Sequence, residues 1–362
     1  MDRFKKHFFC LILLLAFSTS PANALFQLDI ETAIQLFESG DLLSAKSIFE
    51  MFHETSPEDH RAAFYLGRIN YNECQMNEAV SWFKKAAKGE KSNSAYHLWL
   101  GRAYARKGIK ASFIKKPFYA GKARKNLLKA VELDPTNTIA HHDLIQYYML
   151  VPGILGGGKK KAVNHAMQLN AQNPWEGFKA FGQIHLLEKE YEAAAMVYQE
   201  AIIKYPTEIQ FYLALVNAYL KAGEYQRALA VCEDIARAIP EKKIDALYIE
   251  GTIFLEMEDY QQAFLTFEEV IFKHFDYLEA YAGIGKAALA LEQQIDYAIA
   301  CLNHYVKFYP AVCHPDLAAA HYNLGKLYKM QGDPLTAIQE FDNALELNPR
   351  FKAAEREIKN LE

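Results

Sequence analysis

Cysteine is scarce: five residues in 362, none in a CxxC pair and none with the Cys/His spacing of a zinc site. The twelve histidines supply no ligand pattern. The adjacent pair His141-His142 would point about 100° apart on a helix, whereas a metal site wants side chains three or four residues apart on one face. No Ser-His-Asp signature and no Gly-x-Ser-x-Gly elbow occurs. After Leu25 no apolar run is long enough to span a bilayer. These absences argue for a non-enzyme with no cofactor and no metal. Acid is missing from one stretch altogether. From Lys91 to Val131 there is no Asp or Glu, while eleven bases stand there.

What is present is a well-filled, aromatic-rich chain. Hydrophobic residues make up 51% of it, with 22 Tyr and 23 Phe, a composition that excludes disorder. The first 24 residues read as a signal peptide: Arg3, Lys5 and Lys6, then an apolar run from Phe8 to Phe17, then Ala22-Asn23-Ala24 as a small-x-small cleavage site. The mature chain is expected to start at Leu25, without a transmembrane segment, and to be periplasmic or secreted; an uncleaved anchor is the alternative. Export permits disulfides. Cys232 reads as core, and a Cys301–Cys313 bridge stays open.

The remainder repeats with a period near thirty-four residues. A clean copy runs through Leu324, Gly325, Tyr328, Ala337, Phe341, Ala344 and Pro349, and another through Gly251, Ala263 and Phe267. The pattern spells helix, short turn, second helix, stop. Small residues stand where two helices cross, and Pro ends the second because it lacks a donor. Such a unit buries its apolar face only against its neighbours.

These residues resemble the tetratricopeptide repeat, and loop 152–158 resembles one in exported bacterial repeat proteins. The resemblance implies an all-α solenoid of about nine helix-turn-helix units wound as a right-handed superhelix. The units are expected at 26–59, 60–93, 94–137, 138–174, 175–208, 209–243, 244–277, 278–317 and 318–349 within a solenoid spanning 25–349, with a capping helix at 350–362. Two neighbouring units carry insertions. Tyr104 and Ala123 are 19 apart, and Tyr148 and Ala162 are 14 apart, where Tyr328 and Ala337 are 9 apart. Both extras are expected as adjacent loops on one edge.

Three features carry candidate chemistry. Gly153 to Lys160 nearly spells a phosphate loop, but Lys160 replaces the magnesium-binding Ser or Thr and no strand precedes it. Only anion binding by glycine amides survives of that reading. The basic edge, Lys110, Lys115, Lys116, Lys159, Lys160 and Lys161, would meet an anionic surface, while Glu241 to Asp296 is acid-rich. The resemblance implies that Arg61, Phe64, Tyr65, Arg68, Tyr71, Asn72, Trp99, Arg102, Arg106, His142 and Gln146 fall on or beside the concave groove. Arg, Tyr and Trp are common interface anchors. The expectation is therefore an exported interaction scaffold that holds a peptide or protein segment, acidic in character. An envelope protein touching anionic lipid or glycan is the alternative, and a regulatory subunit of an enzyme complex a weaker one. A net charge of −4 and the lack of any recognised module argue against nucleic acid.

Overall fold

The computed structural model describes residues 29–309 and 315–361. The expected signal peptide and Cys313 lie outside the described residues. Those residues form nineteen α-helices, the first eighteen in consecutive pairs. The pairs are α1 (Ile30–Glu38) with α2 (Leu42–Thr55), α3 (His60–Asn72) with α4 (Met76–Gly89), and α5 (Ser94–Ile109) with α6 (Lys116–Leu133). Next come α7 (Thr138–Leu150) with α8 (Lys159–Gln172), α9 (Pro174–Leu187) with α10 (Tyr191–Lys204), and α11 (Ile209–Ala222) with α12 (Tyr225–Ala238). The last are α13 (Lys243–Glu256) with α14 (Tyr260–Lys273), α15 (Leu278–Leu291) with α16 (Ile295–Phe308), and α17 (Pro315–Gln331) with α18 (Pro334–Leu347). Helix α19 (Lys352–Leu361) closes the stack. No helix among the described residues is long and apolar enough to cross a membrane.

Each helix packs on the next, and first helices also touch the first helix of the following pair: α3 with α5, α7 with α9, α13 with α15, α15 with α17. The first helices therefore form the inner, concave layer. One alanine per second helix makes the crossing possible. Ala45, Ala79, Ala123, Ala162, Ala194, Ala228, Ala263, Ala298 and Ala337 are all fully buried. Between pairs the packing is equally close. Phe267 is clasped by Gly251 on its own pair and Gly283 on the next; a Cβ on either would fall 2.6 Å from the ring. Helix starts are fixed by side-chain caps: Asp41, Asn93, Asn137 and Asp333 each accept from the amide three residues on.

The short turns share one device. Gly40, Cys74, Lys189, Gly223, Glu258 and Gly332 all have left-handed φ values. At Glu258 the turn closes through Glu258 N–H to Leu255 O and Asp259 N–H to Phe254 O, satisfying the last carbonyls of α13.

The first insertion departs from expectation, whereas the second stays a loop. The first is mostly helix, not loop. Helix α5 has 16 residues and α6 has 18, against 13 and 14 in α3 and α4. Only 110–115 connect them. Tyr104 stacks near Tyr119 and holds the extension together. Pro117, which reads as a breaker, stands in the first turn of α6, where its missing N–H is not needed. The second insertion is a 3₁₀ turn, Gly153–Leu155, packed against α6. Far along the chain, Arg350 donates to the Lys110 carbonyl at 3.4 Å, so the end of the stack returns to this insertion.

Candidate functional site

On the inner layer, charged residues of successive first helices pair across the helix-pair boundaries. Arg61 on α3 reaches Glu31 on α1 at 2.6 Å and its own Asp59 at 2.6 Å. Arg102 on α5 makes a two-pronged bond with Asp143 on α7, Nε to Oδ2 at 2.5 Å and Nη2 to Oδ1 at 3.1 Å. His142 on α7 meets Glu176 on α9 at 2.6 Å, and Lys179 joins the same carboxylate at 3.4 Å.

Arg68 breaks this ladder. Its guanidinium carbon lies 4.0 Å from the Trp99 ring centroid, 5.2 Å from Phe37 and 5.8 Å from Phe64. Its Nε is buried with no hydrogen-bond partner. Burial lowers its pKa; the Tyr65 hydroxyl opposes that shift, and the neighbouring Arg102 adds to it. Among the described residues Arg106 is similarly without a carboxylate. It lies over Tyr71 at 4.9 Å and donates to the Tyr71 carbonyl and Cys74 Sγ.

The other expected groove residues divide. Phe64 is core, packed on Tyr65, Phe83 and Tyr96, and so is unavailable to a partner. Tyr65 lies flat on Phe49, 5.0 Å away. Tyr71 stands edge-on to Trp99. Asn72 is exposed. Arg102, expected as an open anchor, is already neutralised by Asp143. Beside this row lies an open cleft of about 710 Å³, walled by Tyr71, Arg102, Arg106, Ile109, Gln146 and Leu150 among others. The sequence reading missed Asp143 and Glu176, which meet Arg102 and His142 from one helix pair away.

At the basic edge, the glycine-amide reading is overturned. The amides of Gly156, Gly157 and Gly158 donate to Gly153 O, Pro152 O and Tyr148 O, which leaves none of the three for an anion. Lys159 pairs with Glu188 and Glu190, and Lys161 donates to Gly156 O. Lys110, Lys115, Lys116 and Lys160 are exposed.

Two features lie away from this region. His165 Nδ1 stands 3.0 Å from His141 Nδ1, both rings buried. Because His141 Nε2 faces the Pro135 carbonyl at 3.1 Å, it carries the proton there, and His141 Nδ1 accepts from His165. Burial, reinforced by His141, pushes His165 down to about 4. Cys232 and Cys301 are buried free thiols, pushed up by burial to about 12 and about 11, and so are unreactive.

Tetratricopeptide-repeat family models match residues 185–248 and 318–351. The TPR repeat-containing protein YsoA of Bacillus subtilis is 28% identical over 90 residues. That match covers 25% of this chain and 27% of YsoA, so the chain spans about a quarter of that curated relative. Among solved structures, yeast Tom70 superposes with a TM-score of 0.55 at 11% identity, covering 91% of this chain and 86% of that one. A tetratricopeptide repeat protein from Parabacteroides merdae gives 0.49 at 15%, covering 71% and 96%. At 11% identity the likeness to Tom70 speaks to fold alone. The fold is a tetratricopeptide solenoid, an architecture that typically serves as a non-catalytic scaffold for protein interactions.

Proposed function

We propose that the protein is an interaction scaffold whose inner face at α3, α5 and α7 holds an acidic peptide segment. The observation that carries this is Arg68: a cation boxed by Phe37, Phe64 and Trp99, lacking the carboxylate that Arg61, Arg102 and His142 each have. A desolvated charge without a partner is costly, and a ligand carboxylate would complete the ladder at that rung. Arg106 offers a second unneutralised guanidinium at the cleft wall. Tyr71, Trp99 and the aliphatic wall of Ile109 and Leu150 supply apolar contact between charges. An exported location follows from the leader reading and belongs to this proposal.

The test is selection of a displayed random-peptide library on the full chain, followed by titration of an enriched peptide. Enrichment in Asp, Glu or a free carboxyl terminus is expected. Arg68→Ala and Arg106→Ala should each weaken the peptide about 30-fold, the cost of truncating a hot-spot arginine. Peptides without acid, or unchanged affinity in both variants, would refute the reading.

A further inference from the structure

The edge built by the two insertions carries a second feature, independent of the groove. Its tips are apolar and open to water. Phe113 and Ile114 are each 88% exposed, Ile109 77% and Ile154 95%. Phe118 and Leu150 are also exposed beside them. The two tips share one edge: the 3₁₀ turn packs on α6, and Arg124 of α6 lies directly against Gly156. Apolar side chains grouped at protruding turns mark a surface meant to be covered.

The charge around them selects the cover. Lys110, Lys115, Lys116 and Lys160 flank the tips in sequence, are exposed, and form no ion pair among the described residues. The stretch from Lys91 to Val131 contributes no acid to oppose them, and the nearby Glu188 and Glu190 are engaged by Lys159. Exposed Phe and Ile flanked by lysine is the pattern of a surface that enters the headgroup and acyl boundary of an anionic bilayer. A polysaccharide would answer the lysines but gives Phe113, Ile114 and Ile154 no hydrocarbon to enter.

We infer that this edge docks on an anionic bilayer, with Phe113, Ile114 and Ile154 inserted and the four lysines facing lipid phosphates. The cleft beside the groove shares Ile109 and Leu150 with this edge. A docked molecule would present that cleft along the membrane surface.

The experiment is sedimentation of the purified protein with phosphatidylglycerol-containing vesicles and with phosphatidylcholine vesicles alone. Binding is expected to the former, weakening as salt rises. K115Q/K116Q/K160Q should reduce the partition by about a hundredfold, near one factor of five per neutralised lysine. F113S/I114S should reduce it roughly tenfold while leaving its salt dependence intact. A Phe113→Trp variant should shift to shorter emission wavelength on vesicles and be quenched by bromine on the lipid acyl chains. Vesicle binding unaltered in both multiple variants overturns the inference. So does loss in the lysine variant alone without acyl quenching, which would leave only electrostatic adsorption. Dimerisation that disappears in F113S/I114S, without vesicle binding, would give the edge to a second copy and overturn it too. None of these outcomes touches peptide binding by Arg68, so the two proposals fail separately.

Discussion

The guanidinium of Arg68 lies over the indole of Trp99 at 4.0 Å, and its buried Nε has no hydrogen-bond partner. The cation–π contact compensates part of the lost hydration. Two further rings, Phe37 and Phe64, lie within 6 Å, and the Arg102 charge acts on the guanidinium unfavourably. On the proposed reading, this site is held ready at a cost to stability.

That cost is measurable. Arg68→Met keeps an unbranched chain over Trp99 and removes the buried charge. It should raise stability in urea by roughly 1–2 kcal/mol, as replacing buried charge by apolar packing often does, while abolishing acidic-peptide binding. Equal or lower stability would show that the charge is adequately solvated in the free protein.

Gly283 lies between helix pairs, where a Cβ would fall 2.6 Å from the Phe267 ring. Gly283→Ala should cost about 1–3 kcal/mol by overpacking. Combining it with Phe267→Leu should recover part of that loss, because the smaller side chain makes room; strict additivity of the two would show that they do not meet. Equilibrium urea unfolding of the four chains in the cycle reads this directly.

The His141–His165 pair predicts an acid-labile joint between α7 and α8. Both pKa values are lowered on folding, His165 to about 4 from an ordinary 6.5. Above pH 6.5 the rings are neutral in both states and stability is unaffected. As pH falls from 6.5 toward 4, the unfolded chain takes up protons that the folded one refuses. Stability should therefore drop by roughly 2–3 kcal/mol over that window. H141L/H165L should lose this slope, and Pro135 O would still accept from Gln172 at 2.9 Å. Urea midpoints at pH 7.5 and 5 for both chains would decide it.

The stack itself was legible because its grammar is local. Alanine, glycine and aromatic positions recur at fixed offsets, and the alanines that mark each second helix are all fully buried. The first insertion was misread because its extra residues were assigned to the turn, whereas Pro117 opens a helix and Tyr104 and Tyr119 pack to prolong the pair. Left-handed turns at Cys74, Lys189 and Glu258 gave no signal, since glycine usually holds such positions. Arg102–Asp143 spans 41 residues and His141–His165 spans 24. Such pairs depend on how one helix pair is rotated on the next, which residue spacing within a single repeat does not specify. For the same reason, the ladder that singles out Arg68 emerges only from coordinates.

The bond from Arg350 to the Lys110 carbonyl joins positions 240 apart. A stack of repeats ordinarily behaves as a spring with two loose ends, each turn free to stretch without informing the others. Here the far end rests on an early coil. A change of pitch anywhere between them, such as a ligand straightening the inner layer, must either break that contact or be resisted by it. The spring has acquired a latch.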